Sequence, residues 1–185
     1  MADLCTIANV KDFMNNSDSG NDAALTLFVD WVSRRMESYT DRQITLVSAR
    51  IEKIRHSGPG DEIVLNDRID TLTTVVEGTT TLASDEFEAL GERRIARKSG
   101  ETYIEWARGK ITVTYDAGYT TIPTDWVFMA VKQCAFEFRQ HGKSVAAVFG
   151  ELSRSGTGGE TVALVPPTWL DDVKDFLDAE KRRFA

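Results

Sequence analysis

The stretch ITVTYDAGYTTIPTDW (111–126) determines how the rest of this sequence is interpreted. Apolar and polar residues alternate from 110 to 116, which is typical of an antiparallel strand with one buried face. The alternation places Tyr115 on the buried face. The stretch therefore predicts a strand that leads out of a hydrophobic core.

A turn and a helix start follow the strand. Gly118 permits a tight turn, and Tyr119 can pack back over it. Pro123 restricts the residue before it to extended backbone and so directs the chain into the helix that follows. We interpret Tyr115, Gly118, Tyr119 and Pro123 as a structural corner that specifies the fold and does no chemistry.

Helical periodicity flanks this corner on both sides. Segments 6–15, 22–41 and 124–141 carry apolar residues at helical spacing. Residues 43–116 are rich in β-branched side chains and turn signals instead. These patterns predict an α+β, mainly helical fold: a helical bundle of about four helices with an antiparallel β portion in residues 43–116.

The end of the chain has a different composition. A loop spans 142–165 and is Gly/Ser-rich over 153–161. After Pro166-Pro167 an amphipathic helix begins near Thr168. The sequence therefore predicts one domain over 1–141 and a flexible loop with a C-terminal amphipathic helix over 142–185.

Composition limits the classes of partner. The chain has 185 residues, 22 Lys and Arg against 29 Asp and Glu, and a net charge of −7. An acidic chain is a poor binder of nucleic acid or of anionic membranes. No apolar run approaches the roughly 20 residues of a membrane span, and the start has no secretion-signal pattern. Only two cysteines occur, which favours a reducing compartment.

No catalytic constellation is recognisable. His56 and His141 are the only histidines, and no nucleophile, P-loop or dinucleotide motif occurs. Carboxylate pairs such as Asp171-Asp172 are expected by chance in so acidic a chain. Cys134 lies in an apolar helical pattern and is interpreted as a core residue. We therefore predict no enzyme activity, no catalytic residues, no metal and no cofactor.

Three segments carry a resemblance to a known family. The first spans DLCTIANVKDFMN and a long helix ending in MESYTDRQI, the second is GDEIVLNDRIDTLTTVVEG (60–78), and the third is the opening stretch. In this order they resemble the head–tail connector proteins of tailed bacteriophages, also called head-completion or adaptor proteins. Glu37, Tyr39, Thr40 and Arg42 match the family's helix-ending motif. The resemblance covers roughly residues 3–141.

One motif departs from the family pattern. Asp67-Arg68-Ile69 stands where the family usually has an Arg-Pro-Ile type of sequence, so the proline is absent here. The region after residue 142 matches no motif of the family.

The resemblance implies a structural virion protein. Family members form a ring, commonly a dodecamer, under the portal protein at the capsid vertex, after assembly in the host cytoplasm. The implied partners are the portal protein, further copies of the chain and a stopper or tail-completion protein. DNA would pass through the channel without specific binding, and no membrane is involved.

The C-terminal helix is the candidate contact with the portal or a neighbouring subunit. Its apolar residues are Trp169, Leu170, Val173, Phe176, Leu177 and Phe184. The alternative for this helix is packing on its own domain. Two alternatives remain for the whole protein: another virion ring protein, such as a stopper or tail terminator, or a small soluble enzyme with a dispersed carboxylate site.

Overall fold

The computed structural model describes residues 3–141, 153–155, 161–163 and 169–182. Within these residues, helices account for 36% and strands for 31%. The four helices are α1 (Ile7–Met14), α2 (Asp22–Thr40), α3 (Thr124–His141) and α4 (Asp171–Arg182). The strands are β1 (Val47–His56), β2 (Glu62–Val64), β3 (Ile69–Glu77), β4 (Thr80–Thr81), β5 (Phe87–Ala89), β6 (Arg94–Ser99), β7 (Thr102–Ile104), β8 (Gly109–Ala117), β9 (Ser153–Ser155) and β10 (Thr161–Ala163).

The prediction of a mainly helical bundle is wrong. Strands occupy nearly as many of the described residues as helices, and the β region forms two antiparallel sheets. The prediction failed because strands such as β2, β5 and β7 contain only three residues each. So short a strand shows no alternation that a sequence pattern can reveal.

The chain divides into two compact units. The β unit is Arg42–Ile122, a continuous segment that contains β1 to β8. The helical unit combines Asp3–Asp41 with the described residues from Pro123 onward. The helical unit is therefore built from both ends of the described chain, and the β unit is inserted between its two parts.

The β unit contains a large and a small sheet. The large sheet has the strand order β1-β8-β3-β4, so the strand of the opening stretch, β8, lies in its interior. The small sheet has the order β2-β6-β5, and β7 also pairs with β6. All the strand pairings in these two sheets are antiparallel. Hairpins connect β3 to β4, β5 to β6 and β6 to β7, whereas the pairings of β8 with β1 and β3 and of β2 with β6 join strands that are distant in the chain.

A single hydrophobic cluster fills the β unit. It contains residues from both sheets, so each sheet covers the other's apolar face. The buried members are Ile63, Leu65, Ile69, Val75, Leu82, Ile95, Trp106, Ile111, Val113, Tyr115 and Ala117. The alternation of β8 is thus the inward face of the large sheet, as the sequence predicts.

Local signals fix the first helix of the helical unit. Thr6 caps α1: its hydroxyl accepts a hydrogen bond from the backbone N–H of Asn9 at 3.2 Å, and the Asn9 side chain accepts one from the Thr6 N–H at 3.0 Å. This reciprocal pair satisfies two donors that the helix leaves open. The helix ends at Asn15, whose left-handed backbone suits asparagine.

The core of the helical unit lies between α2, α3 and α4. Phe28 of α2 meets Phe138 of α3 edge to face, with ring centroids 6.0 Å apart. From α4, Val173 and Leu177 are fully buried. None of the described helices is long and apolar enough to span a bilayer.

Candidate functional site

Gly118 is the residue of the predicted corner whose identity is determined by steric constraints. Its φ is +96°, a conformation that residues with a Cβ rarely adopt. A Cβ at this position would lie 2.5 Å from the carbonyl oxygen of Thr45 and 2.9 Å from that of Ile44. Both contacts are with backbone, so no side-chain rotation relieves them. Only glycine fits here.

Three chain segments meet at this glycine. The N–H of Tyr119 donates to the carbonyl of Ile44 at 2.9 Å, and the N–H of Gly118 donates to the carbonyl of Arg68 at 3.1 Å. The Arg68 guanidinium returns a hydrogen bond to the Gly118 carbonyl at 2.8 Å and lies 4.2 Å from the ring centre of Tyr119. We call residues 43–45, 67–70 and 117–120 together the corner junction.

Two aspartates hold the other sides of the corner junction. Asp67 is buried, accepts a hydrogen bond from the N–H of Gln43 at 3.0 Å and forms a salt bridge with Arg50 at 2.8 Å. Asp70 accepts from the Thr120 hydroxyl at 2.7 Å, and this hydrogen bond lowers the pKa of Asp70. The side chains of Asp67 and Asp70 therefore tie the segments of the junction together.

Tyr115 anchors β8 beside the junction. The side chain is fully buried, and its hydroxyl donates to Glu52 on the neighbouring strand at 2.9 Å. Burial, with the hydrogen bond to Glu52, raises the pKa of Tyr115 well above its usual value. The folded protein therefore favours the neutral phenol.

Because the folded protein favours the neutral phenol of Tyr115, we expect its free energy of unfolding to fall in alkaline solution. The unfolded chain ionises Tyr115 near pH 10, whereas the folded protein resists ionisation, so unfolding free energy falls as pH rises above about 10. Tyr115→Phe should remove this contribution, at most about 1.4 kcal/mol per pH unit. Urea denaturation at neutral and alkaline pH measures the difference. Tyr103→Phe, the same substitution at an exposed tyrosine, is the matched control.

The α4 helix is held on the helical unit by its apolar face. Val173 and Leu177 are fully buried, and the Phe176 ring meets Trp126 edge to face at 5.0 Å. Just before the helix, Trp169 meets the ring of Tyr39 at 5.8 Å. Much of the face that the sequence predicts for a partner is thus used within the chain.

A buried polar network also attaches α4. The carboxylate of Glu137 on α3 is buried, accepts a hydrogen bond from the Gln133 side chain at 2.8 Å and lies 3.6 Å from Arg35. The Gln133 side chain in turn accepts from the N–H of Leu170 at 3.0 Å. Arg35 also lies 4.2 Å from the ring centre of Trp169. The start of α4 is therefore positioned by hydrogen bonds as well as by packing.

Exposed charges complete the attachment. Lys132 pairs with Asp172, and Asp178 accepts a hydrogen bond from the Tyr39 hydroxyl at 2.6 Å. The hydrogen bond to Asp178 raises the pKa of Tyr39. Among the exposed α4 residues that the structure describes, all but Ala179 are charged. An apolar partner surface on this helix is consequently restricted to residues at its edge.

The structure separates the predicted site residues into two groups. Tyr115, Gly118 and Tyr119 lie together in the β unit. Pro123 begins the second part of the helical unit, and its carbonyl accepts a hydrogen bond from the N–H of Val127 at 3.2 Å. Of the α4 set, Trp169, Leu170 and Phe176 are half-buried, Val173 and Leu177 are buried, and Phe184 lies outside the described residues. The assignment of this set to an interface stays a prediction.

Sequence reasoning missed the polar residues of both regions. In the sequence, Asp67 and Arg68 are recognisable only as a departure from a motif, whereas in the structure they hold the corner junction. Gln133 and Glu137 were not singled out. Their signal was available, because two polar residues four apart beside an apolar helical stripe face the same neighbours.

The described part of the chain shows no metal-type cluster of three or more His, Cys, Asp or Glu side chains. Cys134 is buried, and a hydrogen bond with Cys5, together with burial, raises the pKa of its thiol well above the usual value. A thiol with a raised pKa is a poor nucleophile at neutral pH. The prediction that Cys134 is a core residue fits its complete burial.

Comparisons with known proteins give similarity only at the level of structure. No protein-family model matches the chain, and no curated protein matches it. A chain in the neck of a native gene transfer agent (GTA) particle, computed with C12 symmetry, is 18% identical over 72% of this chain and 75% of its own, with a TM-score of 0.46.

Two further GTA structures are similar. A chain in the neck of an empty GTA particle, computed with C6 symmetry, is 16% identical over 74% of this chain and 80% of its own, with a TM-score of 0.47. A chain in the virion of a native GTA particle is 13% identical over 99% of this chain and 93% of its own, with a TM-score of 0.48. With identities and TM-scores this low, the likenesses are similarities of chain path, and no function is inferred from them.

Proposed function

We propose that this chain is a structural protein of the neck of a tailed phage or phage-like particle, and specifically a head–tail connector. One observation carries the proposal. The segments that resemble the connector family occur in the family's order, and they meet in the corner junction. A chance resemblance of three separate stretches gives no reason for them to be in hydrogen-bond contact.

The junction residues act through shape and hydrogen bonding. Gly118 is required by backbone contacts, and Arg68 and Asp67 bind the segments that flank it. Motif residues that specify a fold are what a structural protein of a ring needs, since each subunit must present two complementary surfaces in a fixed geometry.

The proposed partners follow from the resemblance. The chain would form a ring beneath the portal protein, extend the DNA channel and offer its far side to a stopper or tail-completion protein. We retain the α4 region as the proposed contact with the portal or a neighbouring subunit. Because Val173 and Leu177 are buried, this contact would use the half-buried Trp169, Leu170 and Phe176.

Electron microscopy of negatively stained particles tests the proposal. We expect the purified chain, alone or mixed with the portal protein of the same genome, to give rings or added density on the portal axis. Connectors can stay monomeric until the portal is present, so the mixture is the decisive sample. A portal that is unchanged by an excess of the folded chain would contradict the proposal.

A further inference from the structure

Four exposed cations gather at one end of the large sheet. Lys53 and Arg55 lie on β1, Arg108 immediately precedes β8, and Lys110 is the second residue of β8. In the register of the two strands, Arg55 stands directly opposite Lys110. We call these four residues the basic patch. Its density of positive charge contrasts with the net charge of −7 of the whole chain.

The basic patch is not neutralised within the described residues, where none of its four members has a salt-bridge partner. Elsewhere in the β unit, salt bridges join other cations to carboxylates: Arg50 to Asp67, Arg94 to Glu62, Arg97 to Glu77 and Lys98 to Glu88. Acidic partners are abundant in this unit, so the unpaired cations form a distinct local feature.

Fold requirements explain only part of the patch. Lysine and arginine on an exposed edge strand such as β1 discourage pairing with other chains, which accounts for Lys53 and Arg55. Lys110 is on β8, an interior strand, and no edge needs protection there. Like charges placed directly opposite each other destabilise a sheet, so the Arg55–Lys110 pair opposes folding. Such a violation is expected where a residue serves binding.

The geometry fits an extended polyanion. Alternate side chains of a strand share a face about 7 Å apart, so Lys53 and Arg55 form a row beside Lys110 on the neighbouring strand. Lys53, Ile54, Arg55, Gly109 and Lys110 line an open crevice at this place. Gly109 contributes no side chain, so the backbone is accessible between the cations.

We infer that the basic patch contacts the phosphate backbone of double-stranded DNA. Phosphate contacts are made by Lys and Arg on accessible surfaces, whereas lysine is depleted in the cores of protein interfaces. The one apolar residue of the crevice, Ile54, packs against the core of the β unit. The choice of DNA among polyanions rests on the proposed position in a neck. The contact is independent of base sequence, so it is compatible with the expectation that DNA passes through the channel without specific binding.

Fluorescence anisotropy of a labelled duplex, titrated with the purified chain over a series of salt concentrations, tests the inference. We expect weak binding, in the range of about 10⁻⁴ to 10⁻⁶ M for sequence-independent contacts. Lys53→Ser/Lys110→Ser should weaken binding on the order of tenfold at low salt. It should also reduce the slope of log affinity against log salt by about 2.

Two single variants provide a matched comparison. Arg139→Ser removes an exposed cation of the helical unit and should bind as the wild type does. Lys110→Ser removes one charge from the patch and should lower the salt slope by about 1. Its melting temperature should stay level or rise, because the repulsion with Arg55 is relieved. Lost DNA binding with retained stability is a result that a merely structural lysine would not give.

Three outcomes would overturn the inference. They are no DNA binding by the wild type at low salt, wild-type binding by the double variant, and binding to poly-glutamate in place of DNA. The last result would assign the patch to an acidic protein, a partner that the exposed Ile51 beside Lys53 would also suit. The assay needs neither ring nor portal. Its failure therefore leaves the neck proposal standing, and the failure of ring assembly leaves the DNA result standing.

Discussion

Gly118→Ala is expected to lower the unfolding free energy of the β unit by at least about 4 kcal/mol. Single substitutions cause so large a loss only exceptionally, and here the cause is a steric clash with the backbone. The new Cβ would lie 2.5 Å from the carbonyl oxygen of Thr45, far inside contact distance. The backbone must therefore move, and the hydrogen bonds from Gly118 and Tyr119 to Arg68 and Ile44 would break with it. Urea denaturation, with hydrogen exchange to locate the unfolded residues, measures the loss.

Two other glycines separate the causes of that loss. Gly78 has a φ of +63° but open space around it, so Gly78→Ala isolates the backbone strain, worth about 1–2 kcal/mol. Gly58 has open space and no positive φ, so Gly58→Ala should have little effect. If Gly118→Ala costs no more than Gly78→Ala, the close approach of the three segments is not what the junction requires.

Leu177→Ala is expected to destabilise the helical unit by about 2–5 kcal/mol. Leu177 is fully buried, and the change leaves a cavity between α4 and its neighbours. The matched control is Leu27→Ala, the same substitution on α2 at a side chain that is 48% exposed. Urea denaturation followed by tryptophan fluorescence compares the two variants, because three of the four tryptophans belong to the helical unit.

The same pair of variants addresses the role of α4. If α4 contacts the portal in the conformation described, Leu177→Ala should lose portal binding only to the extent that it loses folded protein. Under strongly stabilising conditions both variants should then bind equally. Equal stability of Leu177→Ala and Leu27→Ala would show instead that α4 is not packed on the helical unit.

The sequence predicted those elements whose signals are long and local. α3 could be predicted because Thr124, Asp125 and an apolar stripe mark it, and β8 because apolar and polar residues alternate over 110–116. The turn at Gly118 could be predicted as a turn, but its contact with Thr45 could not. A contact between residues so far apart depends on register, which no local pattern encodes.

The main error of the sequence prediction was to underestimate the strand content of the β unit. Its small sheet is assembled from strands of three to six residues, and each is stabilised by its neighbours and not by its own composition. The attachment of α4 could be predicted only in part. Its apolar face is recognisable in the sequence, but the burial of Gln133, which accepts a hydrogen bond from Leu170, and of its partner Glu137 is not. The basic patch could not be predicted from the overall charge of −7, because a net charge does not show where cations cluster on the surface.

The insertion of the β unit between the two parts of the helical unit sets an order for folding during synthesis. A ribosome makes Arg42–Ile122 as one continuous piece, so every strand of that unit emerges from the ribosome before α3 does. The partners of α2 in α3 and α4 are translated after the β unit, so the apolar face that α2 buries against them stays uncovered until then. A chaperone that binds the nascent chain would therefore find its substrate in α2 and not in the sheets.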